Sequence, residues 1–413
     1  FIEANRERPF FCYVPLNTPH SPMMVPDRFY DKFKSLEPEM RHRDVAREDI
    51  VMTRAALALC ENIDWNVGRI LERLEKCALQ DDTIVIYLSD NGPNSFRWNG
   101  GMKGRKGSID EGGLRVPCFI RWPNRIPTGS KVKQVGAAID LLPTLMDLAA
   151  IEQRPAKPLD GRSMKRVLID PAVSLEPRLL FSTKGKQVSV RTGPFRLDAE
   201  GRLYDVVADP GQSRDVAQQH DEVVTRLKHA ANEHRQKMMA HFATNSDRPF
   251  HVGYRGSTTL PARDGIPHGS IQRSAKAPNN SFFKNWTSTD DSITWDVDVG
   301  ESGIYDASVF YTCASGDVGV RIELMVEEGP GNKAPKEESR ATNSVVHEEF
   351  DPPLYGKSKD RVAGSHYIVK DFKPHYLGMI QLEKGRAVLR LRALEKPGRF
   401  AIDVHSIQLT RSQ

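Results

Sequence analysis

The stretch DDTIVIYLSDNGPNSFRWNGGMKGRKGS, Asp81–Ser108, joins an apolar run to two oxygen-bearing side chains and then to a glycine-rich basic loop. The run TIVIYL is bounded by turn residues, as a buried parallel strand would be. Asp90 offers carboxylate oxygens and Asn91 an amide carbonyl, both hard ligands suited to Ca²⁺ or Mg²⁺. The same pair also reads as the Asn-Gly turn that ends a strand. Beyond it, Arg97, Lys103, Arg105 and Lys106 lie among glycines whose backbone N–H groups can approach an oxyanion; a solvated surface loop is the plainer alternative. A P-loop is excluded, because that motif needs Ser or Thr directly after its lysine and Lys106 is followed by Gly107.

Working toward the amino end, PFFCYVPL (Pro9–Leu16) reads as a second buried strand. Ala56, Leu59, Ile63, Val67, Ile70 and Leu74 then recur at helical spacing, predicting an amphipathic helix over about Glu48–Lys76. Strand, helix, strand implies a parallel sheet with a right-handed crossover, whose ligands gather at the carboxyl ends of the strands. His20, in NTPHSP, and the Asp90-Asn91 pair both follow such ends. His20 alone is an ordinary loop histidine; it gains interest because Lys106 and the Asp-Asn pair fall at loops on the same side of the sheet.

Working toward the carboxyl end, GGLRVPCFIRWP predicts a further strand and AAIDLLPTLMDLAAI a helix. LLFSTKG, QVSVRTG, FRLDAEG and RLYDVVADP then predict a small antiparallel sheet, covered by a polar helix from about Asp221 to Met239. Residues 243–281, rich in Gly, Pro, Ser and Asn, are expected to be a surface linker. In the last stretch, Trp295, Val297 and Val299 alternate with Asp296 and Asp298, and Leu389, Leu391 and Ala393 with Arg390 and Arg392. That alternation predicts a β-sandwich over 282–413, with EEGPGNKAPKEES as an exposed loop. The expected domains are thus 1–155, 156–242 and 282–413, an α/β region followed by two β-rich ones.

The totals agree with several soluble domains. At 413 residues the chain exceeds one ordinary core. Its net charge of +5 is mild and its basic and acidic residues are mixed, so the total says little about nucleic acid, and no nucleic-acid partner is expected. No apolar run approaches the roughly 18 residues of a membrane span. Five scattered cysteines form neither a disulfide framework nor a zinc motif. No export signal can be read at the amino end.

Taken together, PFFCYVPLNTPHSP, ENIDWNVGRILERLEK, TIVIYLSDNGP, KGSIDEGGLRVPCFIRWP and LYDVVADPGQSRDVA resemble, in order and spacing, segments of the sulfatase family of the alkaline-phosphatase-like superfamily. The resemblance covers about Phe1–Met239. It implies a partial alkaline-phosphatase-like parallel sheet and hydrolysis of sulfate monoesters, with a sulfated carbohydrate or small molecule as substrate. Asp90 and Asn91 correspond to ligands of a divalent cation, most often Ca²⁺, with Mg²⁺ the alternative. Lys106 corresponds to the lysine that contacts sulfate and the leaving oxygen, and His20 to a histidine that contacts sulfate and protonates the leaving alcohol. Arg97 and Trp98 fall in the loop that varies with substrate and are assigned to substrate contact. Lys103 and Arg105 have no family counterpart.

The family nucleophile is a Cys or Ser in C/S-x-P-S-R, converted to formylglycine by a maturation enzyme. None of Cys12, Cys60, Cys77, Cys118 and Cys313 lies in that motif. The expectation is that this sequence is the carboxyl-terminal part of an exported sulfatase whose nucleophile lies upstream, and that the chain is inactive without it. A phosphodiesterase or phosphonate hydrolase of the same superfamily is one alternative, and an inactive glycan-binding scaffold another. In the last domain Trp286, Tyr311, Tyr355, Tyr367 and Tyr376 are candidates to stack on a sugar ring, with the core as their other destination.

Overall fold

The computed structural model describes residues 1–39, 44–152, 156–244, 248–275, 281–328, 340–354, 359–362 and 370–412. They divide into two compact units, Phe1–Pro19 with Val25–Ala243, and His20–Met24 with Thr244–Gln413. No described helix is long and apolar enough to cross a membrane.

The first unit holds helices α1 (Asp27–Tyr30), α2 (Ile50–Lys76), α3 (Glu111–Leu114), α4 (Leu141–Leu148), α5 (Lys165–Ile169) and α6 (Asp221–Thr244). The Asp49 carboxylate caps α2 by accepting from the Met52 N–H at 2.9 Å, a bond of the kind that stabilises a helix by about 1 kcal/mol. Ala55, Ala56, Ala58, Leu59, Ile63 and Leu74 line its buried face. The helix ends where Ala78 turns to a positive φ of 55° and the Leu79 N–H donates to the Leu74 carbonyl at 2.9 Å, closing the last turn.

Strand β1 (Val85–Leu88) pairs with β2 (Cys118–Arg121) in a two-stranded antiparallel sheet, and the Tyr87 and Phe119 rings stack across it at 6.2 Å. The expected parallel pair is therefore not present among the described residues. Pro9–Leu16 runs extended without joining a sheet, and Phe11 and Tyr13 are each 77% exposed. An apolar run becomes a strand only when a neighbour bonds its edge, and no described strand does so. Leu88 and Phe119 are also exposed, because β1 and β2 have only each other among the described strands.

The small antiparallel sheet expected from sequence is present. Strands β3 (Leu180–Lys184), β4 (Gln187–Thr192), β5 (Phe195–Leu197) and β6 (Leu203–Asp205) pair antiparallel in sequence. Val188, Val190, Leu197 and Leu203 pack against Val224, Leu227 and Ala231 of α6.

The second unit consists of β7 (Phe250–Val252), β8 (Ser257–Pro261), β9 (Ile266–His268), β10 (Gln272–Arg273), β11 (Phe283–Lys284), β12 (Ser292–Val299), β13 (Gly303–Thr312), β14 (Arg321–Glu328), β15 (Ala341–Val345), β16 (Lys373–Leu382), β17 (Gly385–Glu395) and β18 (Asp403–Arg411). They form two six-stranded sheets. One runs β10-β11-β18-β13-β16 with β8 beside β18, the other β15-β14-β17-β12-β7 with β9 beside β12. The alternation read from sequence fills one core. Trp295, Val297, Val299, Leu389, Leu391 and Ala393 of one sheet meet Val309, Leu377, Ile407 and Leu409 of the other.

Two expectations change here. The stretch expected to be a linker supplies β7 to β10, because short segments with one or two apolar residues can add to the edges of sheets whose cores lie elsewhere in sequence. Trp286 and Tyr311 are core residues, 1% and 2% exposed, since the inward face of each sheet is where a large ring buries most area. Tyr376 is exposed and its hydroxyl donates to Asp306 Oδ1 at 2.8 Å. Tyr355 and Tyr367, and residues 329–339 of the expected loop, lie outside the described residues.

Candidate active site

Where β1 ends, the chain is folded back onto itself by glycines. The Gly92 N–H donates to the Gly113 carbonyl at 3.0 Å, the Lys106 N–H to the Pro93 carbonyl at 2.9 Å, and the Gly112 N–H to the Lys103 carbonyl at 2.7 Å. A Cβ on Gly92 would overlap the Gly112 carbonyl, and one on Gly113 would overlap the Ser108 carbonyl. Only bare backbone fits. Through these contacts the chain reversal at Pro93 and Lys106 sets the lysine beside the Asp90-Asn91 strand end. Gly113→Ala should destabilise the first unit by about 1–3 kcal/mol, the usual cost of overpacking, read as a lower thermal midpoint; an unchanged midpoint would show that the loop relaxes freely.

The small sheet braces this loop. Ser189 Oγ donates to the Ile109 carbonyl at 2.8 Å, and Arg196 donates from Nε and Nη2 to Glu111 Oε1 at 3.1 and 2.8 Å. Glu111, Arg191 and Arg196 are all buried. Gln212 accepts from the Glu111 N–H at 3.0 Å and donates to Asp110 Oδ1 at 3.1 Å. Sequence reading did not single out Glu111 or Gln212. The signal for Glu111 was a charged residue beside paired glycines, which has no local explanation; Gln212 carried no such signal.

The four basic side chains separate by partner. Lys103 lies 3.3 Å from Asp110, 3.7 Å from Asp198 and 5.3 Å from the centre of the Tyr204 ring. Arg105 donates to the Asn94 carbonyl and covers the Phe96 ring. Arg97 is half-buried and bonds Ser95 Oγ at 3.3 Å. Burial pushes the Arg97 guanidinium below its ordinary range, opposed by Cys60 and Asp49. That places its charge against α2 and its cap rather than in open solvent, whereas Trp98 is 52% exposed. Lys106 is half-buried, and no described residue pairs with its ammonium.

Asp90 is exposed and Asn91 half-buried, and neither side chain is hydrogen-bonded to a described residue. The pair fits a hard cation in kind. It falls short in number, since the described residues bring no third His, Cys, Asp or Glu to it in a group that could hold a metal ion. His20 belongs to the second unit. Its Nδ1 lies 2.7 Å from the Ser21 carbonyl oxygen, which can only accept, so Nδ1 donates there.

Comparison with known proteins supplies the class of the first unit. The N-terminal part of the chain carries the fold of the sulfatase and alkaline-phosphatase-like superfamily. Residues 1–151 match the family model described as Sulfatase. The chain is 26% identical over 288 residues to the steryl-sulfatase of Mus musculus, covering 58% of this chain and 43% of that protein. It is 26% identical over 264 residues to the N-acetylgalactosamine-6-O-sulfatase of Bacteroides thetaiotaomicron, covering 55% and 47%. The crystal structure of Ps i-CgsB superposes with a TM-score of 0.49 at 24% identity, over 56% of this chain and 51% of the other. The chain spans less than half the length of the two named relatives.

Proposed function

We propose that the first unit is part of a sulfatase that hydrolyses sulfate monoesters on a carbohydrate, with Asp90 and Asn91 as cation ligands and Lys106 as a group that receives the sulfate; the role of His20 is carried by the family resemblance alone. The observation that carries this reading is the Lys106 N–H bond to the Pro93 carbonyl, which brings the lysine backbone to within two residues of Asn91, while no described residue pairs with the Lys106 ammonium or with the Asp90 and Asn91 side chains. The Bacteroides relative is named for an amino sugar sulfate, which supports a carbohydrate substrate.

Cleavage of the ester places negative charge on the leaving oxygen. Lys106 neutralises that charge, and the family resemblance gives His20 the role of protonating the leaving alcohol. A divalent cation, Ca²⁺ before Mg²⁺, held partly by Asp90 and Asn91 would supply positive charge on the opposite side of the sulfur. Trp98, open to solvent, is the better placed of the two variable-loop residues to touch substrate; Arg97 orders the loop. The nucleophile is a formylglycine upstream of Phe1, made by a dedicated maturation enzyme, and the protein is exported.

The test is turnover of 4-nitrophenyl sulfate against 4-nitrophenyl phosphate by the protein expressed with everything its reading frame encodes before Phe1. Preference for sulfate is expected. Preference for phosphate would favour the phosphodiesterase reading, and no turnover of either by folded protein would favour an inactive scaffold. Asp90→Asn should weaken Ca²⁺ binding by about tenfold or more in a calorimetric titration, and an unchanged affinity would remove Asp90 from the ligand set.

A further inference from the structure

In the second unit, a cleft of about 450 Å³ opens where β13 ends and β18 begins. Thr312 pairs with Asp403 across the β13 and β18 ladder, and the next residue, Cys313, exchanges both backbone hydrogen bonds with Phe350 at 2.8 and 2.9 Å. The backbone therefore brings Asp403 and Asp351 to the same strand end. Lys370 Nζ joins them, 2.7 Å from Asp403 Oδ2 and 3.0 Å from Asp351 Oδ1. The lysine is the deep member at 9% exposure, while the carboxylates are 25% and 46% exposed. Both acids thus turn toward the cleft with their charge already partly neutralised from below.

Such a cluster does little for stability, because desolvating an ion pair costs about as much as the attraction returns. Burial raises the Asp403 carboxyl above its ordinary value, against the lowering effect of Lys370, which reports how dry the floor is. Around the rim stand Lys284, Asn285 and Gln272, with Ala401 and Ile402 adding apolar surface.

The charges select the ligand class. Asp351 and Asp403 balance Lys284 and Lys370 around the cleft, while Asp317 is buried and accepts from the Phe400 N–H, so a sulfate or carboxylate meets no excess of positive charge. A cation is disfavoured too, since Lys370 already sits between the two acids. What remains is a neutral ligand rich in hydroxyl groups, which donate to the carboxylates and accept from Lys284 and the side-chain amides. The volume is that of a small-ligand pocket.

We propose that this cleft binds an uncharged sugar residue of a glycan, with Asp351 and Asp403 as hydroxyl acceptors, so that the second unit grips unsulfated positions. This site is separate from the aromatic candidates of the sequence and does not depend on the sulfatase reading. The test applies the full chain to an immobilised array of neutral and sulfated oligosaccharides and follows the bound members by calorimetry. Binding to neutral members is expected, with Asp351→Asn and the rim variant Gln272→Ala each weakening it, the former by about tenfold, at unchanged thermal midpoint. Retention of sulfated members only, no binding across the array, or neutral binding that survives both substitutions would each overturn the proposal.

Discussion

Lys106→Ala, made in the full-length protein, is expected to lower sulfate ester turnover by about 10²- to 10³-fold, the usual loss when one preorganised charge is removed from a transition state. The fold should be indifferent. The Lys106 ammonium pairs with no described residue, and the bond to Pro93 that shapes the loop comes from the backbone, which alanine retains. The loss should therefore appear in kcat with the thermal midpoint unmoved. Lys103→Ala is the informative contrast, because Lys103 is bound to Asp110 and Asp198 and its removal should act on stability. Near wild-type turnover in Lys106→Ala would sink the assignment of Lys106 and, with it, the observation on which the proposed function rests.

The largest effect on stability is expected from Glu111→Ala. Glu111 is 4% exposed and accepts from Arg196, while Arg191 lies 3.8 Å away; both guanidinium groups are also buried. Burial pushes Arg191 below its ordinary range, and Glu111 is the main opposing influence. Removing the shared carboxylate leaves two buried cations facing each other without a counter-charge, which costs about 3–5 kcal/mol. That is a large part of the roughly 5–15 kcal/mol that holds a domain folded. Denaturant unfolding of the first unit reads the result, and a loss below about 1 kcal/mol would show that water or other groups replace Glu111. Turnover should fall as well, because Glu111 carries the loop that holds Lys106.

Much of the local structure was legible. The three- and four-residue spacing of Ala56, Leu59 and Ile63 predicted α2 to within two residues of its start. Gly and Pro punctuation predicted β3 to β6 as a small antiparallel sheet. Strict alternation around Trp295 and Leu389 predicted which side chains enter the core of the last sheets. Each of these is a property of neighbouring residues, so the chain states it directly. The Asp90-Asn91 pair was visible for the same reason, two oxygen donors directly after an apolar run.

Other features depend on what a segment meets. Pro9–Leu16 has the composition of a strand and joins no sheet, because pairing is decided by an available edge. Residues 250–273 have the composition of a linker, yet they join two sheets. Among the four basic residues of the opening loop, chemistry alone ranks none above another. Only the tertiary structure separates Lys103 and Arg105, occupied by Asp110, Asp198, Asn94 and Phe96, from Lys106, whose ammonium pairs with no described residue. The sequence by itself determined helices α2, α4 and α6, the antiparallel character of the small sheet and the residue types at the strand end, since periodicity and turn chemistry are local. Which loop cations are engaged by described partners, which carboxylates share a cleft and which apolar run becomes a strand were decided by long-range contacts, since a charge or an edge is satisfied by whatever the fold brings to it.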